Sequence, residues 1–221
     1  MIQTIDVKES IFRHNQQEAD ELRASLRERG CCLINLMSSP GSGKTSTLLA
    51  LFPKLKGRLA IGVMEADIDA TVDAEAVQNA GVRSVQLHTG GMCHLDAAMT
   101  RQGLEALGTE GLDLIILENV GNLVCPAEFD TGAHRNVSIL SVPEGDDKPL
   151  KYPLMYEVCD LLVINKIDVL PCFDFDRENV ERYAKQRNPR IKLIWISAKT
   201  GEGVDELADW FLEQAEAVRK G

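Results

Sequence analysis

The chain has 221 residues, 44% of them hydrophobic, which is enough for one large domain around a buried core. A net charge of −10 argues against a broad phosphate-binding surface, which rests on Lys and Arg, and aromatics at 5% leave little for stacking bases, so no nucleic-acid partner is expected. No apolar run approaches the roughly 20 residues of a membrane span, and the opening stretch MIQTIDVKESIFRHNQQEAD lacks the basic-then-apolar layout of a secretory signal, so the expectation is a cytoplasmic protein with no membrane partner.

The polar segment from Ser10 to Arg29 reads as a helix stopped by Gly30, and residues 1–30 are set apart as an N-terminal helical extension. From residue 31 short apolar runs alternate with amphipathic stretches, the signature of βαβ units. Candidate strands fall at 31–37, 58–65, 82–87, 112–118, 136–142, 160–166 and 191–197. Candidate helices fall near 44–54, 71–80, 94–107, 174–187 and 203–219. Most strand candidates are continuously apolar, as strands buried on both faces should be. The expected fold is α/β, with a mostly parallel, roughly seven-stranded sheet flanked by helices over residues 31–221.

The first strand runs into SSPGSGKTS, Ser38 to Ser46, which opens a helix. Gly41 and Gly43 allow backbone N–H groups to turn toward phosphate oxygens, and the helix N-terminus adds its dipole. Lys44 supplies a point charge for the β and γ phosphates, and Thr45 offers a hydroxyl to Mg²⁺. Pro40, Ser42 and Ser46 complete the cradle. The usual G-x-x-x-x-G-K-S/T pattern has glycine where this chain has Ser38, but P-G-S-G-K-T is intact.

Two acidic segments follow. In MEADIDATVDAE, Met64 to Glu75, Asp67 is the candidate second carboxylate near Mg²⁺. Asp73 has two readings held open: it positions the attacking water, or with Asp69 and Glu75 it caps the next helix. In ENVGN, Glu118 stands where ordinary G proteins carry the Asp of D-x-x-G, a carboxylate that holds Mg²⁺, and Gly121 is placed to sense the γ-phosphate through its backbone.

Near the C-terminus, NKID (Asn165 to Asp168) and SAKTGEG (Ser197 to Gly203) each close a strand and resemble the guanine-recognition motifs of the G-protein superfamily. The resemblance implies that Asp168 accepts the two guanine N–H groups, Asn165 braces the loop and Lys166 packs along the ring. Ser197, Ala198 and Lys199 then belong to the loop that approaches the guanine carbonyl. Adenine offers no such pair of donors and would leave a buried carboxylate unpaired, so GTP is favoured over ATP, and residues 31–221 are expected to form a GTPase domain of the P-loop NTPase fold.

The stretch TGGMCHLDAA places Cys93 beside His94, after a Gly90–Gly91 turn and at the expected start of a helix. A lone cysteine is more often a small buried hydrophobe. Here a helix start favours the thiolate, and a third soft ligand, Cys125, follows ENVGN, so metal and nucleotide sites would share a loop. A fourth ligand would come from water, a carboxylate or a second subunit. Thiolate and imidazole accept Ni²⁺ in a planar site and Zn²⁺ in a tetrahedral one, and the residues do not choose between them. Of the six cysteines, Cys31, Cys32, Cys159 and Cys172 read as packing residues.

Together SSPGSGKT, TGGMCHLDA, ENVGNLVCPAEFD, EGDD and NKID resemble the HypB family, the nickel-incorporation GTPases of NiFe-hydrogenase maturation, over nearly the whole chain. The related UreG proteins would carry Cys-Pro-His, which is absent. The resemblance implies a GTP-dependent homodimer with Cys93, His94 and Cys125 as a Ni²⁺ or Zn²⁺ site at its interface. It also implies two partners, a HypA-like nickel protein and the hydrogenase large-subunit precursor. The N-terminal C-x-x-C-G-C or His-rich tracts of some members are missing here, which argues against metal storage, and Gly91 stands where many relatives have lysine. Lys151, in EGDDKPLKYP, is a candidate to reach nucleotide across the interface. With no arginine finger visible, intrinsic hydrolysis is expected to be slow. The rival readings are a G-protein switch of another assembly pathway whose cysteines are structural, and a metal module that holds nucleotide only for structure.

Overall fold

A computed structural model describes the backbone of residues 7–67 and 81–221 and the side chains of 12–66 and 81–221. The helix expected over 71–80, with Asp69, Asp73 and Glu75, lies outside the described residues, and Asp67 is described by its backbone alone.

All seven expected strands form: β1 Cys32–Ser38, β2 Ile61–Asp67, β3 Arg83–His88, β4 Leu114–Glu118, β5 Arg135–Ser141, β6 Leu161–Asn165 and β7 Lys192–Trp195. They make one parallel sheet in the order β3-β2-β4-β1-β5-β6-β7. β1 is buried along its whole length, and so are β4 and β6. That burial explains their unbroken apolar runs: helices cover both faces. The α-helices among the described residues are α1 Val7–Glu28, α2 Lys44–Leu55, α3 Ala97–Leu107, α4 Cys125–Glu128, α5 Lys148–Lys151, α6 Pro153–Val158, α7 Arg177–Arg187 and α8 Val204–Lys220.

Side chains alternate between the faces of the sheet. Ile34, Leu36, Leu114 and Ile116 meet α2 and α8 on one face, where Leu48, Leu51 and Phe211 complete the core. Leu33, Ile115, Leu117 and Met64 point the other way, toward Leu22 and Leu26 of α1 and Leu104 and Leu107 of α3. A further apolar cluster joins Met37, Leu140 and Leu162 to Met155 and Tyr156 of α6 and Val180 of α7. α1 is therefore packed against the sheet through Leu22 and Leu26.

Three short helices, α4, α5 and α6, are additions to the sequence reading. Each has proline in its first turn, where the missing N–H costs nothing, and each is too short to show a periodicity. Cys31, Cys32 and Cys159 are packing residues as expected: all are buried, and burial pushes the Cys31 and Cys32 thiols up to about 12. Cys172 departs from expectation. It ends a 3₁₀ turn, Ile167–Cys172, with an exposed side chain.

Because all the strands run parallel, Ser38, Glu118, Asn165 and Ser197 arrive at one edge of the sheet. The connections leaving β1 and β4 run in opposite directions across it, and the resulting crevice is where doubly wound sheets bind ligands.

Candidate functional site

The loop from Ser38 to Gly43 leaves β1 and feeds α2. Gly43 is the residue before the helix, with φ of 96°, a left-handed conformation that suits glycine; Gly41 has φ of 77°. No side chain caps α2, so its first N–H groups remain for a ligand, the arrangement that binds anions. Lys44 Nζ donates to Ser38 Oγ at 3.1 Å, as does Ser42 Oγ at 2.7 Å. Ser38 thus stands at the base of the cradle and holds the lysine across the loop. Ser39 bonds Glu144, whose carboxylate also accepts from the backbone and hydroxyl of Ser141. Gly41, Gly43, Lys44, Thr45, Ser46 and Glu118 line a cavity of about 210 Å³.

Thr45 Oγ1 donates to Glu118 Oε1 at 3.4 Å, so the two oxygens expected to share a hard cation do meet. Such a donor set suits Mg²⁺. Gly121 lies on the phosphate loop: a Cβ there would meet Pro40 Cγ at 3.0 Å. The sequence reading missed Glu65, which is buried and in register with Glu118 across β2 and β4, so the two carboxyl groups project from the same face. Asp67, two residues on, ends β2 beside His88 of β3.

The side expected to take the base is built around Asn165. Its Nδ2 donates to the Ser42 carbonyl at 3.0 Å, while Oδ1 accepts from the backbone of Lys166 at 2.7 Å and of Ala198 at 3.2 Å. Lys166 has φ of 64° and sends Nζ back to the Gly41 carbonyl at 2.7 Å. Ser197 Oγ donates to Asp168 Oδ1 at 2.7 Å, which orients the carboxylate. Asp168, Lys166, Ala198 and Lys199 join Gly43 and Ser46 around a cavity of about 260 Å³. The motifs of residues 38–46, 165–168 and 197–199 therefore form one continuous site.

The metal-type donors also converge. Cys93 Sγ lies 2.7 Å from Cys125 Sγ and 3.9 Å from His94 Nδ1, and the three ligand atoms fit within 4.8 Å of one another. Two sulfurs and an imidazole are soft to borderline donors, suited to Ni²⁺ or Zn²⁺ and unsuited to Mg²⁺. Cys125 also accepts from Asn122 Nδ2 at 3.5 Å, which ties this group to the ENVGN loop. Hydrogen bonding to Cys93 pushes the Cys125 thiol up, and burial pushes the His94 imidazole down, toward the neutral ring that a metal needs.

One expectation is corrected here. Cys93 and His94 precede the helix; they are not on it. Asp96 caps α3 by accepting from the Met99 N–H at 2.8 Å, so the helix starts at Ala97 and the pair sits in the turn before it. Free of helical geometry, both side chains turn to one side. The His94 ring is also stacked on Phe129, centroids 3.9 Å apart and planes 12° apart, a contact between distant segments with no sequence signal.

Comparisons with known proteins show what the chain is similar to. The profile of the family described as CobW/HypB/UreG, nucleotide-binding domain, matches residues 32–194. Hydrogenase maturation factor HypB of Rhizobium leguminosarum bv. viciae is 44% identical over 215 residues, covering 97% of this chain and 72% of that protein. The crystal structure of HypB from Helicobacter pylori in complex with nickel superposes with a TM-score of 0.87 at 35% identity, over 92% of this chain and 96% of that one. Hydrogenase maturation factor HypB from Archaeoglobus fulgidus gives 0.85 at 37% identity, over 92% and 99%.

Proposed function

Since the chain belongs to the HypB family of hydrogenase maturation factors, within the CobW/HypB/UreG nucleotide-binding domains, we propose that it is a GTP-hydrolysing metallochaperone that carries nickel during NiFe-hydrogenase maturation. The observation that carries this reading is the path from Glu118 to Cys125. One loop begins at the carboxylate bonded to Thr45 in the phosphate cradle, lays Gly121 on Pro40, and ends at the thiol 2.7 Å from Cys93.

In this reading Asp168, held by Ser197, accepts the N–H groups of guanine, and Lys44 with the first N–H groups of α2 holds the β and γ phosphates. Mg²⁺, when bound, would neutralise charge developing on the phosphates; Thr45 and Glu118 would hold it, with Asp67 supplying a second carboxylate. Asp73 would orient the attacking water. Cleavage of the γ-phosphate removes the group that Gly121 senses, so the segment from Glu118 to Phe129 relaxes and the Cys125 thiolate with it. No arginine finger enters the scheme, and the intrinsic rate is slow.

Nickel is the cargo, held by Cys93, His94 and Cys125, with Zn²⁺ competing for the same atoms. Three ligands leave a coordination position for a second copy of the chain. Met92 and Val124, exposed at 39% and 50%, flank the two cysteines and support a GTP-dependent homodimer formed there. Lys151 pairs with Asp147 at 2.6 Å within its own chain and would exchange that partner for nucleotide across the dimer. A HypA-like nickel protein and the hydrogenase large-subunit precursor are the partners on either side of the transfer. No helix among the described residues is long and apolar enough to cross a membrane, and we place the protein in the cytoplasm.

Calorimetric titration of the purified chain with Ni²⁺ tests the metal assignment. Binding by the wild type, lost in Cys93→Ala and Cys125→Ala while GTP turnover persists, is the expected result. Nickel binding that ignores both substitutions would leave a GTPase with structural cysteines.

A further inference from the structure

The two metal-bearing segments are joined by a residue from the opposite end of the chain. Asn15 of α1 is buried, with 8% of its surface exposed. Its Nδ2 donates to the Asp130 carbonyl at 3.0 Å, and its Oδ1 accepts from the Ala97 N–H at 2.9 Å. Ala97 lies three residues beyond His94, and Asp130 five beyond Cys125 and next to Phe129. One amide therefore spans both segments, using its donor on one and its acceptor on the other.

The rest of that helix face grips the same place. Phe12, one turn before Asn15, puts its ring 5.1 Å from Phe129, whose other neighbour is the His94 imidazole. Arg23, two turns beyond Asn15, donates to both carboxylate oxygens of Asp130 at 2.7 Å and to the Ala133 carbonyl at 2.9 Å. Gly132 presses on α1 so closely that a Cβ there would meet Leu22 Cδ2 at 2.9 Å.

We propose that Asn15 is a positioning residue for the metal site: its amide fixes the separation of the Cys93–His94 turn from the Cys125–Phe129 segment, so that the three ligand atoms meet before metal arrives. This rests on the reading of those three residues as the nickel ligands. The chemistry needed is specific to a short primary amide. Leucine has the same size and satisfies neither backbone group; aspartate keeps the acceptor for Ala97 and loses the donor for Asp130. The Ala97 N–H is buried and the Asp130 carbonyl is part-buried, so losing their shared partner favours a rearranged loop.

The test compares full-length wild type, Asn15→Leu, Asn15→Asp, Cys93→Ala and Leu26→Ala. Leu26 is buried on the same helix, about three turns beyond Asn15, and its truncation loosens α1 packing without removing the amide. Nickel affinity is read by competition with a chromophoric chelator, the ligand geometry by the nickel–thiolate charge-transfer band, and the fold by GDP binding. Partners of metal ligands are typically worth 10–100-fold in affinity. The expected result is a loss of that size in Asn15→Leu with a displaced band and wild-type GDP binding, a smaller loss in Asn15→Asp, and near-normal nickel binding in Leu26→Ala. Wild-type affinity and spectrum in Asn15→Asp, or an equal loss in Leu26→Ala, would overturn the proposal, and the aspartate variant decides if the leucine variant does not fold. Nickel binding that survives Cys93→Ala would overturn the ligand assignment and this proposal with it; binding lost in Cys93→Ala but unchanged in both Asn15 variants would overturn this proposal alone.

Discussion

Asn165 donates its side-chain amide to the carbonyl of Ser42 across 3.0 Å, so the loop that closes β6 is fastened to the loop that closes β1. The same side chain accepts from the backbone of Ala198, beyond β7. Three strand ends, the first of them more than a hundred residues before the other two, are thus set around one buried side chain, and the two cavities beside it open on either side of Gly43.

Gly43 follows from that contact. A Cβ at this position would stand 2.5 Å from Asn165 Nδ2, on a backbone with φ of 96°. Gly43→Ala should cost about 1–2 kcal/mol in backbone strain alone and push the two loops apart. Nucleotide affinity, read with a fluorescent GDP analogue, is expected to fall at least tenfold; affinity within twofold of wild type would contradict the arrangement.

The role proposed for Asp168 is to govern the choice of base. Asp168→Asn replaces an acceptor with a group that donates, and the loss of a charged hydrogen bond is worth about 1.5–3 kcal/mol. GTP binding should weaken tenfold or more, while xanthosine triphosphate, which offers an acceptor where guanine offers an amino group, should gain. Equal weakening of both nucleotides would show that Asp168 only braces its loop through Ser197.

How far these features were legible in the sequence depends on their range. The phosphate loop, NKID and SAK stretches are local patterns whose chemistry is written in a few adjacent residues, and β1, β4 and β6 were legible because burial on both faces demands unbroken apolar runs. The helix start at Ala97 was also readable, since Asp96 is an ordinary capping residue; the glycines drew the boundary too early. Asn15 and Phe129 were not readable. Asn15 looks like one more polar residue on a polar helix until the fold brings Ala97 and Asp130, 82 and 115 residues away, to its amide. Glu65 was lost inside an apolar strand pattern, and its relation to Glu118 appears only once β2 and β4 are paired.

A pH dependence follows from His134. Its imidazole accepts from the Leu33 N–H at 3.0 Å and is pushed down to about 4 by burial, with Arg27 and Arg23 adding to the effect. Unfolded, the ring protonates near 6.5, so below that pH the unfolded chain takes up a proton that the folded chain refuses. Its contribution is complete above about 6.5 and is lost as pH falls toward 4, by at most about 3 kcal/mol. His134→Asn keeps an acceptor for Leu33 and should flatten this part of the stability profile in urea titrations at pH 7, 6 and 5. An unchanged profile would assign the acid sensitivity to other groups.

The central claim is that nickel and nucleotide sites act through one loop. Its most direct test is Ni²⁺ titration by calorimetry in GDP and in a non-hydrolysable GTP analogue, with mass followed by light scattering. The expected result is a dimer in the GTP analogue that binds nickel with a different affinity or stoichiometry from the GDP form, a difference abolished by Cys93→Ala. Identical nickel binding in both nucleotides, at one unchanging mass, would contradict it.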